Sequence, residues 1–249
     1  MSRTRLPRPA ILRDRRGVAL VEFAITAPVI LLLGLGGIEL SNFIVANMQI
    51  SQIAMSVADN AGRVRTSIDE ADITELMIGA LKMGEPLGLS THGRIILSDL
   101  EQRTNGAVNG AGLPQQWIRW QRCAGALRMP SSLGGPLDRG GQAVADLDSG
   151  INEDHGAVET ASTLTGMGPA GNQIAAAPGT ALMVVEVVYD YQPIAPVSFL
   201  NAVVPNPRIR RVMAFNVRQR TAYSLRNDAK LSGVKRADCR LFDRAVPTA

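Results

Sequence analysis

A chain of 249 residues, 46% hydrophobic and 19% charged, has room for one ordinary domain with appendages or for two small ones. Its net charge of +4 is the balance of three unlike regions: +5 over residues 1–17, −9 over 18–206 and +8 over 207–249. No aromatic-plus-basic stripe or Cys/His finger accompanies the arginines, so the basic total does not mark a nucleic-acid partner.

Residues 1–17 carry Arg3, Arg5, Arg8, Arg13, Arg15 and Arg16 against Asp14. After Gly17 the chain turns apolar, and from Phe23 to Ile38 it holds no charge. Val18 to Leu40 would make a helix of about 34 Å, enough for a hydrocarbon core of ~30 Å. With arginines before it and no cation after it until Arg63, the positive-inside rule keeps the N-terminus in the cytoplasm and sends the rest across. A cleaved secretory signal has a shorter apolar run ending at a small-x-small site. Ile38-Glu39-Leu40-Ser41 does not supply one. The lipid bilayer is therefore an expected partner. Pro28, Gly34, Gly36 and Gly37 predict a helix that can bend and be approached closely. Glu22 is the anomaly. Near the cytoplasmic end it can either reach the interface or meet a cation inside the membrane.

Phe43, Ile44, Ile50, Ile53, Ala54, Val57 and Ala58 recur at three- and four-residue steps, which predicts helix over 38–62. It either extends the membrane helix or stands apart after a bend. A second helix is expected from Ser67, with Glu70 completing a capping box, through Ile73, Leu76, Met77 and Leu81 to Gly84 and Pro86.

Strands are expected at 94–98, 117–121, 181–192 and 211–223. In the third, Met183, Val185, Val187, Tyr189 and Tyr191 alternate with Val184, Glu186, Val188 and Asp190. In the fourth, Met213, Phe215 and Val217 oppose Arg218 and Arg220. Two helices followed by four strands predict an α+β fold with an antiparallel sheet packed on the first helix. The Gly/Ala-rich stretch near 124–180 shows no period and is expected to be a functional or mobile loop. Within it, Asp146, Asp148 and Asn152 resemble calcium-loop oxygens, but Ala157 stands where the closing acid belongs, so an acidic solvated loop is expected. The basic residues from Arg208 onward either form a solvated strand face or meet lipid headgroups or an acidic partner.

Cys123 and Cys239 are either two buried thiols or, if the domain is exported, a disulfide closing one long loop. With His92 and His155 they fall short of a metal ligand set, and no metal or cofactor is expected. No Gly-x-Ser-x-Gly elbow, phosphate-binding glycine loop or His-Glu-x-x-His pair is present, so no enzyme is expected.

Gly17, Glu22, Phe23, Ala24 and Pro28 fit the pattern Gly-x-x-x-x-Glu-Phe-Ala-x-x-x-Pro. The stretch resembles the TadE-like family of minor pilins (pseudopilins) of the Tad, or Flp, type IVb pilus system. Trp120-Gln121-Arg122-Cys123 is similar to a later element of the same family. The resemblance implies a basic leader, residues 1–17, removed by a prepilin peptidase after Gly17 so that Val18 becomes the N-terminus. It implies that Glu22 sets subunit registry by meeting the α-amino group of a neighbouring pilin. The partners implied are that peptidase, other pilins and Tad assembly proteins. The expected organisation is a leader (1–17), an inner-membrane helix with its extension (18–62) and a pilin-like periplasmic domain (63–249), acting in pilus biogenesis and adherence. The alternative is a permanently anchored single-pass envelope protein whose periplasmic domain binds a ligand or partner.

Overall fold

A computed structural model describes residues 17–64, 67–104, 106–138, 140–143, 159–169, 171–194, 207–217, 224–232 and 235–242. Arg218, Arg220, Tyr223, the acidic-loop residues Asp146, Asp148 and Asn152, His155 and the arginines before Gly17 lie outside these.

Helix α1 runs unbroken from Val18 to Arg63, 46 residues or about 69 Å. The bend considered after residue 38 does not form, and the helix also continues through Pro28. Two residues before this proline, the Thr26 hydroxyl donates to the Glu22 carbonyl (2.9 Å). The two halves of α1 differ in their surroundings. Its first half is exposed all round, whereas Ala46, Ile50, Ile53, Ala54, Val57, Ala58 and Ala61 form one buried stripe in the second. Ile44, expected in that stripe, is 51% exposed on another face.

Helix α2 spans Glu70–Met83. Its cap differs from the Ser67/Glu70 pair expected from the S-x-x-E spacing. Asp69 is the N-cap, accepting from the Ala71 N–H at 2.8 Å, and Asp72 accepts from the Asp69 N–H at 3.0 Å. Two aspartates fill the same reciprocal geometry, and Glu70 is free to turn inward. A 3-10 turn, Glu85–Leu87, and the short helix α3, Leu89–His92, lead into the sheet. His92 closes α3.

The four strands are β1 (Gly93–Gln102), β2 (Gln116–Ala124), β3 (Ala181–Asp190) and β4 (Arg208–Asn216). They pair antiparallel in the order β2-β1-β3-β4. The register sets Ile96 between Cys123 and Glu186, and Val187 opposite Arg211. Alternate side chains Ile95, Leu97, Trp120, Met183, Val185, Val187 and Tyr189 join the buried stripes of α1 and α2 in the main core. The fold is α+β, with both long helices on one face of an antiparallel sheet.

The opposite face is covered too. Leu100, Ile118, Leu182 and Val184 pack with Met167 and Ala176, and Leu133, Leu164 and Ile174 are partly buried beside them. The described parts of the 124–180 stretch are thus the second cover of the sheet rather than a free loop. Isolated bridges Leu137–Ala143, Met167–Ile174 and Gln116–Leu164 pin them. Glycine at 125 is required there: its φ is +98°, and a Cβ would lie 2.3 Å from the Gly93 carbonyl oxygen.

Helix α1 and β4 run the same way. Arg211 reaches Asn47 Oδ1 (2.7 Å) near the start of β4, and a Cβ at Gly62 would lie 3.1 Å from the Asn216 carbonyl oxygen at its end. The β3–β4 end of the sheet therefore faces the exposed half of α1.

Candidate functional site

Gly17 caps α1 with φ −83° and ψ −10°, and no side chain caps it. That backbone region is open to any residue, and a Cβ added to Gly17 would meet none of the described residues within 4 Å. The described residues therefore give no reason for glycine at this position. Glu22 follows one turn after Val18, and its side chain is exposed. Among the described residues, no hydrogen bond or ion pair to the Glu22 carboxylate is formed.

Between Val18 and Ile38 the helix exposes large apolar side chains on every side, Leu20, Phe23, Ile30 and Leu33 among them. This segment is long and apolar enough to cross a membrane, and none of its most apolar window is buried. The full circle of exposed hydrocarbon separates it from an amphipathic surface helix. Gly34, Gly36 and Gly37 open onto empty space, leaving shallow ground on the helix for a close neighbour.

The exposed segment ends at Glu39, where the domain grips the helix. Tyr191, just past β3, donates its hydroxyl to the Glu39 carboxylate and accepts from Asn42 Nδ2 at 2.7 Å. The Ile194 N–H donates to the other Glu39 oxygen at 3.1 Å. The Phe43 and Tyr191 rings meet edge to face, 5.2 Å apart. Burial and the neighbouring Glu39 carboxylate push the Tyr191 hydroxyl up to about 12, because both favour the neutral phenol. Periodicity shows none of this clasp. One signal was available: Glu39 is the sole charged residue between Glu22 and Asp59.

The Trp120-Gln121-Arg122-Cys123 element is structural. Trp120 is core, and Gln121 donates to Ser98 Oγ (2.9 Å) and to the Gly134 carbonyl (3.0 Å). Arg122 meets Glu70 in a buried ion pair. Cys123 is joined to Cys239 by a disulfide, with Cα atoms 4.6 Å apart. Beside it, the Arg94 guanidinium donates to the carbonyls of Gly125, Cys239 and Leu241 and lies over the Phe242 ring. Burial lowers Arg94 to about 10, against the raising pull of Asp238, which leaves it cationic at neutral pH. The C-terminal segment is thus tied to the same sheet end by a covalent bond and a buried cation.

The β4 arginines are engaged by their own domain. Arg208 pairs with Asp190 (2.6 Å), Arg210 with the buried Glu186, and Arg211 reaches Ser51 and Asn47. All three thus have partners within the domain, although the Arg208 side chain stays 45% exposed. Glu186 also accepts from the Ser131 hydroxyl (2.8 Å) and the Ser132 hydroxyl (2.6 Å). Among the described residues, no group of three or more His, Cys, Asp or Glu side chains is disposed to hold a metal ion.

Over residues 17–59 the chain matches the family described as TadE-like protein. That segment is TadE-like. No curated protein and no solved structure matches the chain. The TadE-like segment begins at Gly17 and ends within α1, four residues before Arg63. It includes the exposed span, Glu22, and the helix side of the clasp at Glu39, Asn42 and Phe43. The sheet, Tyr191 and the disulfide lie beyond it.

Proposed function

We propose that this chain is a non-catalytic minor pilin of the Tad system, made as a precursor and consumed in pilus assembly for adherence. The leader stays at the cytoplasmic face of the inner membrane, α1 crosses the bilayer, and the sheet domain stands in the periplasm. A prepilin peptidase cuts after Gly17. The observation that carries this reading is the helix start itself: a glycine that the described residues do not require, immediately before an exposed apolar helix with an exposed carboxylate one turn in. A protease that holds its substrate extended accepts glycine because no side chain obstructs the backbone.

Cleavage would place the Val18 ammonium at the positive end of the α1 dipole, an unfavourable position for a cation. A carboxylate from a neighbouring subunit's Glu22 offsets this. At 4 Å and an effective dielectric near 20 the raw attraction is ~4 kcal/mol, from which desolvation is subtracted. The pair fixes the axial offset between neighbouring helices, and the glycines allow the helices to approach. The disulfide supports an oxidising compartment for the domain.

Intact-mass and N-terminal analysis of the protein from cells that also make its Tad components tests the reading. A mature chain starting at Val18 is expected. Recovery with residues 1–17 still attached overturns it and leaves the permanently anchored envelope protein as the better account.

A further inference from the structure

We propose that the β3–β4 end of the domain makes a second contact with the bilayer, at Ile194, beside the point where α1 leaves the membrane. The inference rests on the membrane-anchored reading above and extends it from the helix to the domain.

Depth is the first argument. Val18 to Ile38 makes a helix of about 31 Å, which matches a hydrocarbon core of ~30 Å. Glu39, the first charge after this span, then lies at headgroup level. The second argument is the tie. The Ile194 N–H is 3.1 Å from Glu39 Oε2, and Tyr191 holds the same carboxylate. Ile194 is therefore held at the depth of Glu39.

The third argument is chemical. Ile194 is 64% exposed, although its neighbour Tyr191 is buried. At the base of this sheet end Asp190 and Arg208 pair with each other at 2.6 Å. From Tyr191 to Pro207 the sequence has no charged residue. The charges of Asp190 and Arg208 thus offset each other at the base of this sheet end, and beside them Ile194 presents an exposed apolar side chain at the depth of Glu39. The β4 arginines are committed within the domain, so the contact is an apolar one that does not require anionic lipid. Its effect is to fix the tilt of the domain on the membrane, which a single helix crossing leaves free to vary.

The test uses the full chain in phosphatidylcholine bilayers whose acyl chains are brominated near the headgroup, with tryptophan introduced as Ile194→Trp or, separately, Leu31→Trp. The emission of Trp117 and Trp120 in the unaltered chain is subtracted. The expected result is a blue-shifted emission at 194 that brominated lipid quenches and aqueous iodide does not. Emission at 194 that iodide quenches and lipid does not, with Leu31→Trp shielded in the bilayer, overturns this contact alone. If Leu31→Trp is also open to iodide, the anchored reading fails and takes the contact with it. Ile194 is exposed and outside the core, so both variants keep the fold, which circular dichroism and the intact disulfide verify.

Discussion

Arg122 Nε lies 2.9 and 3.0 Å from the two carboxylate oxygens of Glu70, and both side chains are 1% exposed. The pair links the first residue of α2 to β2 across the core, and it sets the position of that helix on the sheet. Taking two charges out of water is costly, and removing one partner leaves the other buried without its main counter-charge. Arg122→Met is expected to destabilise the domain by about 3–5 kcal/mol. The double variant Glu70→Leu/Arg122→Met is expected to recover most of that loss. Urea titration of the full chain in detergent, followed by Trp120 fluorescence, measures both. A single variant as stable as the parent would remove the pair from the account of the fold.

The Cys123–Cys239 bond closes a loop of 116 residues in sequence separation. The chain-entropy model gives such a loop about 4–5 kcal/mol. Cys239→Ser, or reduction under denaturant, is expected to lower the urea midpoint and to loosen the C-terminal segment first. Hydrogen exchange at Asp238 to Leu241 reports the second effect. Unchanged protection there would show that the segment is held without the disulfide.

Tyr191 carries the pH dependence. In the folded chain its hydroxyl is raised to about 12, whereas an unfolded tyrosine titrates near 10. Below pH ~10 both states keep the proton, and the clasp contributes fully. Between pH ~10 and ~12 the unfolded chain releases its proton more readily, so stability falls as pH rises through this window. Tyr191→Phe is expected to flatten the stability profile over that window relative to the parent. Tyr189, also raised by burial, is present in both chains and cancels in the comparison. Equal slopes for the two chains would detach Tyr191 from the effect.

Gly17→Ala and Glu22→Ala separate processing from registry. A methyl at 17 meets none of the described residues, so the variant is expected to fold with an unchanged melting temperature and to retain its leader. Glu22→Ala removes an exposed side chain, and domain stability is expected to change by less than about 0.5 kcal/mol. Processing should proceed, but incorporation into pili, read by immunoblot of sheared fibres, should drop. Normal incorporation of Glu22→Ala would leave the registry role without support.

The order of helices and strands was legible because the local patterns were strong. A run of apolar residues without charge, a stripe at three- and four-residue steps, and the alternation from Met183 to Tyr191 each bury a definite face. What stayed hidden depends on pairs distant in sequence. Ser67 and Glu70 have the spacing of a capping box, but the helix is capped two residues later by Asp69 and Asp72, the Glu70 N–H is taken by the Arg226 carbonyl, and the Glu70 carboxylate is drawn to Arg122 on β2. The same limit applies to Glu39, whose partners Tyr191 and Ile194 follow about 150 residues later. Ile44 shares the helical step of its buried neighbours, yet periodicity does not say which of two apolar stripes meets the sheet. The 124–180 stretch looked unstructured because its few apolar residues, such as Met167 and Ile174, have no regular spacing. The surface they cover had yet to be built.

The parallel course of α1 and β4 has a mechanical consequence. A pull along the helix axis loads their shared surface in shear, so the contacts from Asn47 to Gly62 resist together instead of peeling one at a time. The clasp at Glu39 stands at the loaded end and takes the strain first.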